Sequence, residues 1–172
     1  LPVTRAGPIT VWVTAAGVRR IEFGPLPSGH RDPPREEWPD RLVEAVAQLE
    51  EYFAKARRAF DLELDWPETL TSFQRDVYAR LLEIEYGHVV SYGRVALDIG
   101  RPDMARAVGQ AVGANPIPIV VPCPRVVASD GSLTGFGGGL RVKAALLKLE
   151  GIDVDGTSPT SKVHPAVIPL DL

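Results

Sequence analysis

The strongest candidate for chemistry in this sequence is its single cysteine, Cys123, which stands between two prolines in Pro122-Cys123-Pro124-Arg125. A thiolate is a strong nucleophile, although most unpaired cysteines are inert residues of the core. Proline removes a backbone donor and fixes φ, which is costly inside a core and useful for presenting a side chain. The flanking prolines therefore strengthen the case for a reactive thiol, with inert packing as the alternative.

A second candidate is one face of a short helix predicted just before this cysteine. Its buried stripe is predicted to be Met104, Ala107, Val108, Ala111 and Val112, and its opposite face to be Ala105, Arg106, Gly109, Gln110 and Gly113. Small residues expose backbone and let another surface come close. A reader of the DNA major groove offers several long side chains, so this face suits a minor groove with Arg106 as a single wedge. Packing against another helix is the alternative.

The second half of the chain, which must position these residues, is predicted to be mostly helical. Thr71-x-x-Gln74 has the form of a capping box and begins one helix. Ser91 caps a short helix that reaches Asp98, and Asp103 caps another that reaches about Ala114. Two short helices joined by a tight turn with Gly100 and Pro102 are typical of a helix-turn-helix.

Between these helices and the last one lies a segment with little regular structure. Residues 117–127 are apolar but contain three prolines, which predicts a buried segment that is not a central strand. The glycine cluster Gly135–Gly139 precedes a final helix, Leu140–Glu150, that stops at Gly151.

The first half of the chain is predicted to combine a small sheet with one helix. Ile9–Thr14 and Val18–Phe23 are β-like runs joined by Ala15-Ala16-Gly17, a hairpin signal. Asp40 is predicted to cap a helix with apolar residues at helical spacing, and Ala59–Leu64 alternates like a returning strand. We therefore predict an α+β protein with an N-terminal α/β domain (1–66), a linker (67–70), a mostly helical C-terminal domain (71–152) and a tail (153–172).

The charge is distributed unevenly, although the net charge of −3 is not that of a typical DNA-binding protein. Residues 71–150 carry 9 basic and 7 acidic side chains, whereas residues 1–70 carry 9 and 12. A polyanion is therefore expected to meet the middle-to-late segment. No apolar run is long enough to span a bilayer, and a single cysteine needs no oxidising compartment, so we expect an intracellular protein without a membrane partner.

Five short motifs in order resemble those of the O6-alkylguanine-DNA alkyltransferases, also called methylated-DNA–protein-cysteine methyltransferases. They are Ser91-Tyr92-Gly93, Arg106-Ala107-Val108-Gly109, Asn115-Pro116, Pro122-Cys123-x-Arg125-Val126-Val127 and Gly131-x-Leu133-Thr134-Gly135-Phe136-x-Gly138-Gly139-Leu140. The resemblance covers residues 71–151 and is looser over 1–66. It implies a ribonuclease-H-like N-terminal domain and a monomer that acts on double-stranded DNA in the cytoplasm, or in the nucleus of a eukaryote.

The resemblance also implies a mechanism. An alkyl group passes from the O6 atom of guanine, with O4-alkylthymine as a second candidate lesion, to Cys123 after the damaged base is flipped out of the duplex. The reaction is irreversible, acts once per molecule, and needs no metal and no organic cofactor. Tyr92 assists the leaving guanine, and Arg106 fills its place in the base stack.

The remaining site residues are also implied by this resemblance. Glu150 belongs to the catalytic group, and Ser91, Ala105, Gly109, Gln110 and Arg125 to the DNA-binding group. The pocket residues are Val112, Asn115, Pro118, Val126, Phe136 and Gly137.

The sequence departs from the family pattern directly after the cysteine. A histidine that links the cysteine through water to a glutamate is usual there, and this chain has Pro124. We expect water to fill the lost volume, so that Glu150 still activates Cys123, less efficiently. The main alternative is a protein that binds alkylated DNA without repairing it and flags the lesion for another pathway. A helix-turn-helix transcription regulator and a cysteine hydrolase are further alternatives.

Overall fold

A computed structural model describes residues 7–164, and its elements alternate between short strands and helices. The strands pair two by two, β1 with β2, β3 with β4 and β5 with β6. The strands are β1 (Ile9–Val13), β2 (Val18–Phe23), β3 (Val90–Ser91), β4 (Val126–Val127), β5 (Asp153–Val154) and β6 (Val163–His164). The helices are α1 (Asp40–Phe53), α2 (Ser72–Leu82), α3 (Tyr92–Asp98), α4 (Ala105–Gly113) and α5 (Leu140–Leu149). Short 3₁₀ turns cover Arg35–Glu37, Pro102–Met104 and Cys123–Arg125.

The predicted hairpin is confirmed, with β1 and β2 antiparallel and Ile9 opposite Phe23. Helix α1 packs on it through a buried face that includes Ala45, Val46 and Leu49. The helix begins at Asp40, but the prediction that Asp40 caps it is wrong. Pro39 is the N-cap, and it makes no side-chain cap because its side chain has no hydrogen-bond acceptor.

The returning strand predicted at Ala59–Leu64 is not formed, apart from one isolated bridge between Val18 and Leu64. The backbone of Asp61 bonds instead to the Gln48 side chain, whose amide donates to the Asp61 carbonyl (2.8 Å) and accepts from its amide (2.9 Å). A helix side chain therefore satisfies the polar groups that a neighbouring strand would otherwise pair.

The helix-turn-helix consists of α3, the 3₁₀ turn and α4. The Thr71–Gln74 capping box at the start of α2 and the Ser91 cap of α3 are both present, as predicted. Asp103 does not cap a helix, because it lies inside the 3₁₀ turn that precedes α4. Met104 also lies in that turn and is 38% exposed. Of the predicted buried stripe, the structure buries Val108, Ala111 and Val112.

The segment predicted as a tail is ordered over the residues that the structure describes. β5 and β6 form a small antiparallel pair, and Val154 and Val163 are buried against α5. Backbone bonds also join this segment to residues 131–134, including Leu133 N to Ser161 O (2.9 Å) and Thr134 N to Pro159 O (3.1 Å). Residues 165–172 of the predicted tail lie outside the described residues.

One continuous core joins the two halves of the chain. Its buried residues include Ile21 and Leu49 from the N-terminal half and Leu81 and Val121 from the C-terminal half. A main-chain bond from Ile21 N to Pro116 O (2.9 Å) crosses between them. None of the helices between residues 7 and 164 is long and apolar enough to cross a membrane.

The backbone of Gly17, in the hairpin, lies very close to that of Glu63, so a side chain at this position should lower stability. A Cβ atom on Gly17 (φ +153°) would lie 2.3 Å from the carbonyl oxygen of Glu63, whereas Gly24 (φ +125°) has open space around it. We expect Gly17→Ala to lower the free energy of unfolding by about 2 kcal/mol more than Gly24→Ala. Equal losses in urea unfolding of the two variants would show that only φ matters.

Candidate functional site

Cys123 begins the 3₁₀ turn Cys123–Arg125, and local bonds fix the turn on both sides. Its amide donates to Val121 O (2.7 Å), and its carbonyl accepts from the amide of Val126. Asn115, just after α4, donates from Nδ2 to Val121 O (2.9 Å) and accepts from Ile117 N (3.0 Å). Asn115 therefore ties the end of α4 to the segment that carries the cysteine.

Cys123 is almost completely buried, and it is also one of the residues that line a cleft. Cys123 is only 2% exposed, yet it lines a cavity of about 680 Å³ between α4, the glycine-rich segment and strand β2. Of the predicted pocket residues, the lining includes Val112, Asn115, Pro118, Phe136 and Gly137. Val126 is buried outside this wall, and Lys143 Nζ donates to its carbonyl oxygen.

A second cleft, of about 810 Å³, runs along the open face of α4. Its lining includes Tyr92, Ala105, Arg106 and Gly109, and Arg106 is exposed. The two clefts share Val112, Gly113, Phe136 and Gly137, so these residues separate the Arg106 face from the sulfur. Gln110 and Gly113 are exposed on the same face of the helix.

Tyr92 is held in this second cleft by the segment that follows β4. Its hydroxyl lies 3.1 Å from Thr134 Oγ1, and burial raises the Tyr92 pKa, so the phenol stays protonated at neutral pH. Thr134 has φ +59°, an uncommon backbone conformation for threonine. The bonds of its neighbours to the 159–161 segment stabilise this conformation, and so the C-terminal segment positions the partner of Tyr92.

Glu150, which the resemblance places in the catalytic group, is buried and hydrogen-bonded to other parts of the protein. One carboxylate oxygen accepts from Tyr52 Oη (2.7 Å) and Arg125 Nη2 (3.0 Å), and the other accepts from Arg125 Nε (2.8 Å) and Gly87 N (3.1 Å). Four protein donors thus occupy about as many acceptor sites as a carboxylate has. That Glu150 activates Cys123 through water stays a prediction, and these bonds argue against it.

Arg125 does not face DNA, which corrects its predicted role. Its side chain is 7% exposed, pairs with Glu150 and also donates to the carbonyl of Ile84. The sequence places Arg125 within the cysteine motif but cannot show that its guanidinium turns inward. Ser91 is likewise buried, and its hydroxyl accepts from Arg94 N (3.0 Å) as the cap of α3.

Lys143 is a buried charged residue near the thiol that the sequence analysis missed. Its side chain has no exposed surface, and Nζ donates to Val126 O (2.6 Å) and Leu133 O (2.7 Å). Lys143 stands on the apolar face of α5 beside Ala144 and Leu147, and this position was the signal in the sequence. A lysine on a core-facing stripe needs a partner inside the protein, and this requirement indicates a candidate site residue.

The thiol and this lysine influence each other's protonation. Burial raises the pKa of the Cys123 thiol to about 11, while a hydrogen bond with Asn115 and the charge of Lys143 act in the opposite direction. Burial lowers the pKa of Lys143 to about 8, and the charge of the Cys123 thiolate opposes that shift. At neutral pH Lys143 is therefore mainly a cation and Cys123 mainly a thiol. Within residues 7–164 no cluster of His, Cys, Asp and Glu could hold a metal ion.

Comparison with protein families gives two matches that together cover most of the chain. Residues 72–152 match "6-O-methylguanine DNA methyltransferase, DNA binding domain" and residues 3–66 match its "ribonuclease-like domain". A methylated-DNA–protein-cysteine methyltransferase of Mycobacterium tuberculosis is 50% identical over 122 residues, covering 69% of this chain and 73% of that protein. One of Methanosarcina acetivorans is 51% identical over 108 residues, covering 63% and 68%.

Solved structures show the same similarity in three dimensions. The O6-methylguanine methyltransferase of Mycobacterium tuberculosis has a TM-score of 0.71 at 43% identity, covering 84% of this chain and 87% of that one. A structure of Mycobacterium tuberculosis OGT in complex with DNA has a TM-score of 0.72 at 42% identity, covering 85% and 88%.

The raised pKa predicts how the free protein reacts with a small alkylating reagent. We expect Cys123 to react with iodoacetamide at pH 7.4 at least about tenfold more slowly than free cysteine, because only thiolate attacks. The rate, followed by intact mass, should rise from pH 6.5 to 8. Cys123→Ala, which leaves no thiol, is the control. A fast rate that is flat from pH 6 upward would contradict the raised pKa.

Proposed function

The chain belongs to the 6-O-methylguanine DNA methyltransferase family, and from this membership we propose that it repairs DNA by moving the alkyl group of an O6-alkylguanine onto Cys123. The observation that carries this proposal is that Cys123 lines a cleft that adjoins the open face of α4.

Double-stranded DNA approaches the face of α4 that bears Ala105, Arg106 and Gly109. The small residues allow the phosphate backbone and the floor of the minor groove to come close, and exposed Arg106 enters the stack where the damaged base has left. Flipping a base costs a few kcal/mol, and the cost is least where pairing is already weakened by damage. We expect a monomer to act on each lesion, as the resemblance to this family implies.

The flipped base passes the wall formed by Val112, Phe136 and Gly137 to bring its O6 substituent to the sulfur. The thiolate attacks the alkyl carbon, a sulfur–carbon bond forms, and the bond between that carbon and O6 breaks with its electron pair going to the guanine. Tyr92, kept protonated by burial, donates a hydrogen bond to the departing base. The product is a thioether, which is a poor leaving group, so each molecule reacts once.

Lys143 takes the supporting role that a histidine relay would otherwise have. Pro124 has no basic side-chain group, and the Glu150 carboxylate is occupied by four donors. The positive charge of Lys143 lowers the pKa of the Cys123 thiol. Its ammonium donates a hydrogen bond to the carbonyl of Val126, and the amide of Val126 bonds to the carbonyl of Cys123. Two of its three protons are bonded to carbonyl oxygens, and the positive charge opposes the cost of a buried thiolate.

The test of the function is incubation with duplex DNA that carries a single O6-methylguanine, followed by intact mass. We expect a gain of one CH2 on the wild-type protein, mapped to Cys123, and no gain on Cys123→Ala or with undamaged DNA. Tight binding of the damaged duplex without any gain in mass would contradict repair and support the flagging role.

The role of Lys143 has its own test, with Glu150 as the contrasting position. We expect Lys143→Met to slow the iodoacetamide reaction of Cys123 at pH 7.4 by about tenfold, the effect of one pKa unit, and Lys143→Arg to retain most of the rate. Glu150→Gln should lower thermal stability without moving the pH dependence of that rate. A shift of the pH dependence in Glu150→Gln, and none in Lys143→Met, would restore the carboxylate relay.

A further inference from the structure

The cleft that holds Cys123 is closed on one side by the N-terminal hairpin. Strand β2 contributes five consecutive residues, Arg19 to Phe23, to its lining. One wall of the cavity is therefore built from a part of the chain that lies about a hundred residues before the cysteine.

Phe23 is the residue of this strand that grips the glycine-rich segment. Its ring packs against the ring of Phe136, with centroids 5.5 Å apart and planes inclined by 59°. It also leaves no space at Gly138, where a Cβ atom would lie 2.4 Å from Phe23 Cδ2 and 2.9 Å from Phe136 Cε1. Gly138 therefore has to be glycine for Phe23 and Phe136 to hold their places.

On its other side the same segment rests on the end of α4. A Cβ atom on Gly137 would lie 3.7 Å from the carbonyl oxygen of Gly113, an ordinary contact distance. The residues that lead into the glycine-rich segment, Leu133 and Thr134, are anchored by backbone bonds to the C-terminal segment. The tip, with Phe136, is thus held between α4 and Phe23, and the hairpin itself is fixed by the bond from Ile21 to Pro116.

We propose that Phe23 is a positioning residue for alkyl transfer, which sets how large an alkyl group the Cys123 cleft accepts by fixing the Phe136 wall. This inference rests on the proposed function for its meaning, since the size limit matters only if an alkyl group enters the cleft. Phe23 acts through the Phe136 ring, against which it packs, and through Gly138, where it leaves no space for a side chain. The hairpin thereby has a part in substrate selection as well as in stability.

The experiment compares the rates at which Cys123 reacts with iodoacetamide and with the bulkier N-benzyl iodoacetamide. In Phe23→Ala we expect the ratio of the bulky to the small rate to rise on the order of tenfold, since a methylene or two changes pocket selectivity by such factors. In Gly138→Ala we expect the ratio to fall, because the added methyl pushes the Phe136 ring. In the double variant the two changes should offset each other and return the ratio to within about threefold of wild type.

Phe53→Ala is the matched control, because Phe53 is a half-buried aromatic of the same half that packs on Tyr52 and does not line the cleft. It should lower the melting temperature and leave the ratio unchanged. If Phe23→Ala does not fold, Phe23→Leu provides the same comparison with a smaller loss of packing. Equal ratios in the Phe23 and Phe53 variants would overturn the proposal and leave the hairpin with a purely stabilising role.

The same variants are then compared on duplexes with one O6-methylguanine or one O6-benzylguanine. The two proposals fail in different ways. A wild-type protein that gains no mass from either duplex overturns the repair function, while the haloacetamide ratio still reports on the cleft. A wild-type protein that repairs both duplexes, with a ratio that Phe23→Ala does not change, overturns the role of Phe23 alone.

Discussion

The buried ion pair between Arg125 and Glu150 is the interaction on which the site depends. The two side chains are 7% and 5% exposed, and a charge in such a place is tolerated only when it is paired and fully hydrogen-bonded. Tyr52 from α1 and the amide of Gly87 complete the bonds of the carboxylate. Four separate parts of the chain thus meet at one group, and the 3₁₀ turn that begins with Cys123 ends on the arginine that they hold.

This arrangement separates structure from chemistry at the cysteine. A carboxylate that accepts four hydrogen bonds from the protein stabilises the fold and has little acceptor capacity left for a relay to the thiol. With Pro124 in the next position, support for the thiolate falls to Asn115 and Lys143. These two groups offset the burial of the sulfur only in part. The protein therefore presents a nucleophile that is well placed but weakly ionised, and the geometry of the bound alkyl carbon has to supply more of the rate.

The sequence predicts local features well and long-range ones poorly. The hairpin, the Thr71–Gln74 box and the Ser91 cap depend on neighbouring residues, and all three are present. The predictions that Asp103 caps a helix and that Met104 is buried are wrong because both residues lie in a 3₁₀ turn before α4. Hydrophobic periodicity does not show such a turn. The spacing of residues also cannot predict that the Arg125 side chain points inward, because its partner is a carboxylate 25 residues further along the chain.

The same limit explains why the C-terminal segment and Lys143 escaped prediction. Short strands without a hydrophobic run leave little pattern, yet residues 159–161 hold Leu133 and Thr134 by backbone bonds alone. Lys143 also donates a hydrogen bond to the carbonyl of Leu133, and Thr134 is hydrogen-bonded to the Tyr92 hydroxyl. The glycine-rich segment is consequently fixed at its stem by the end of the chain and at its tip by Phe23 near its beginning. The wall of the Cys123 cleft is therefore a property of the whole folded chain, which no motif of a few residues could specify.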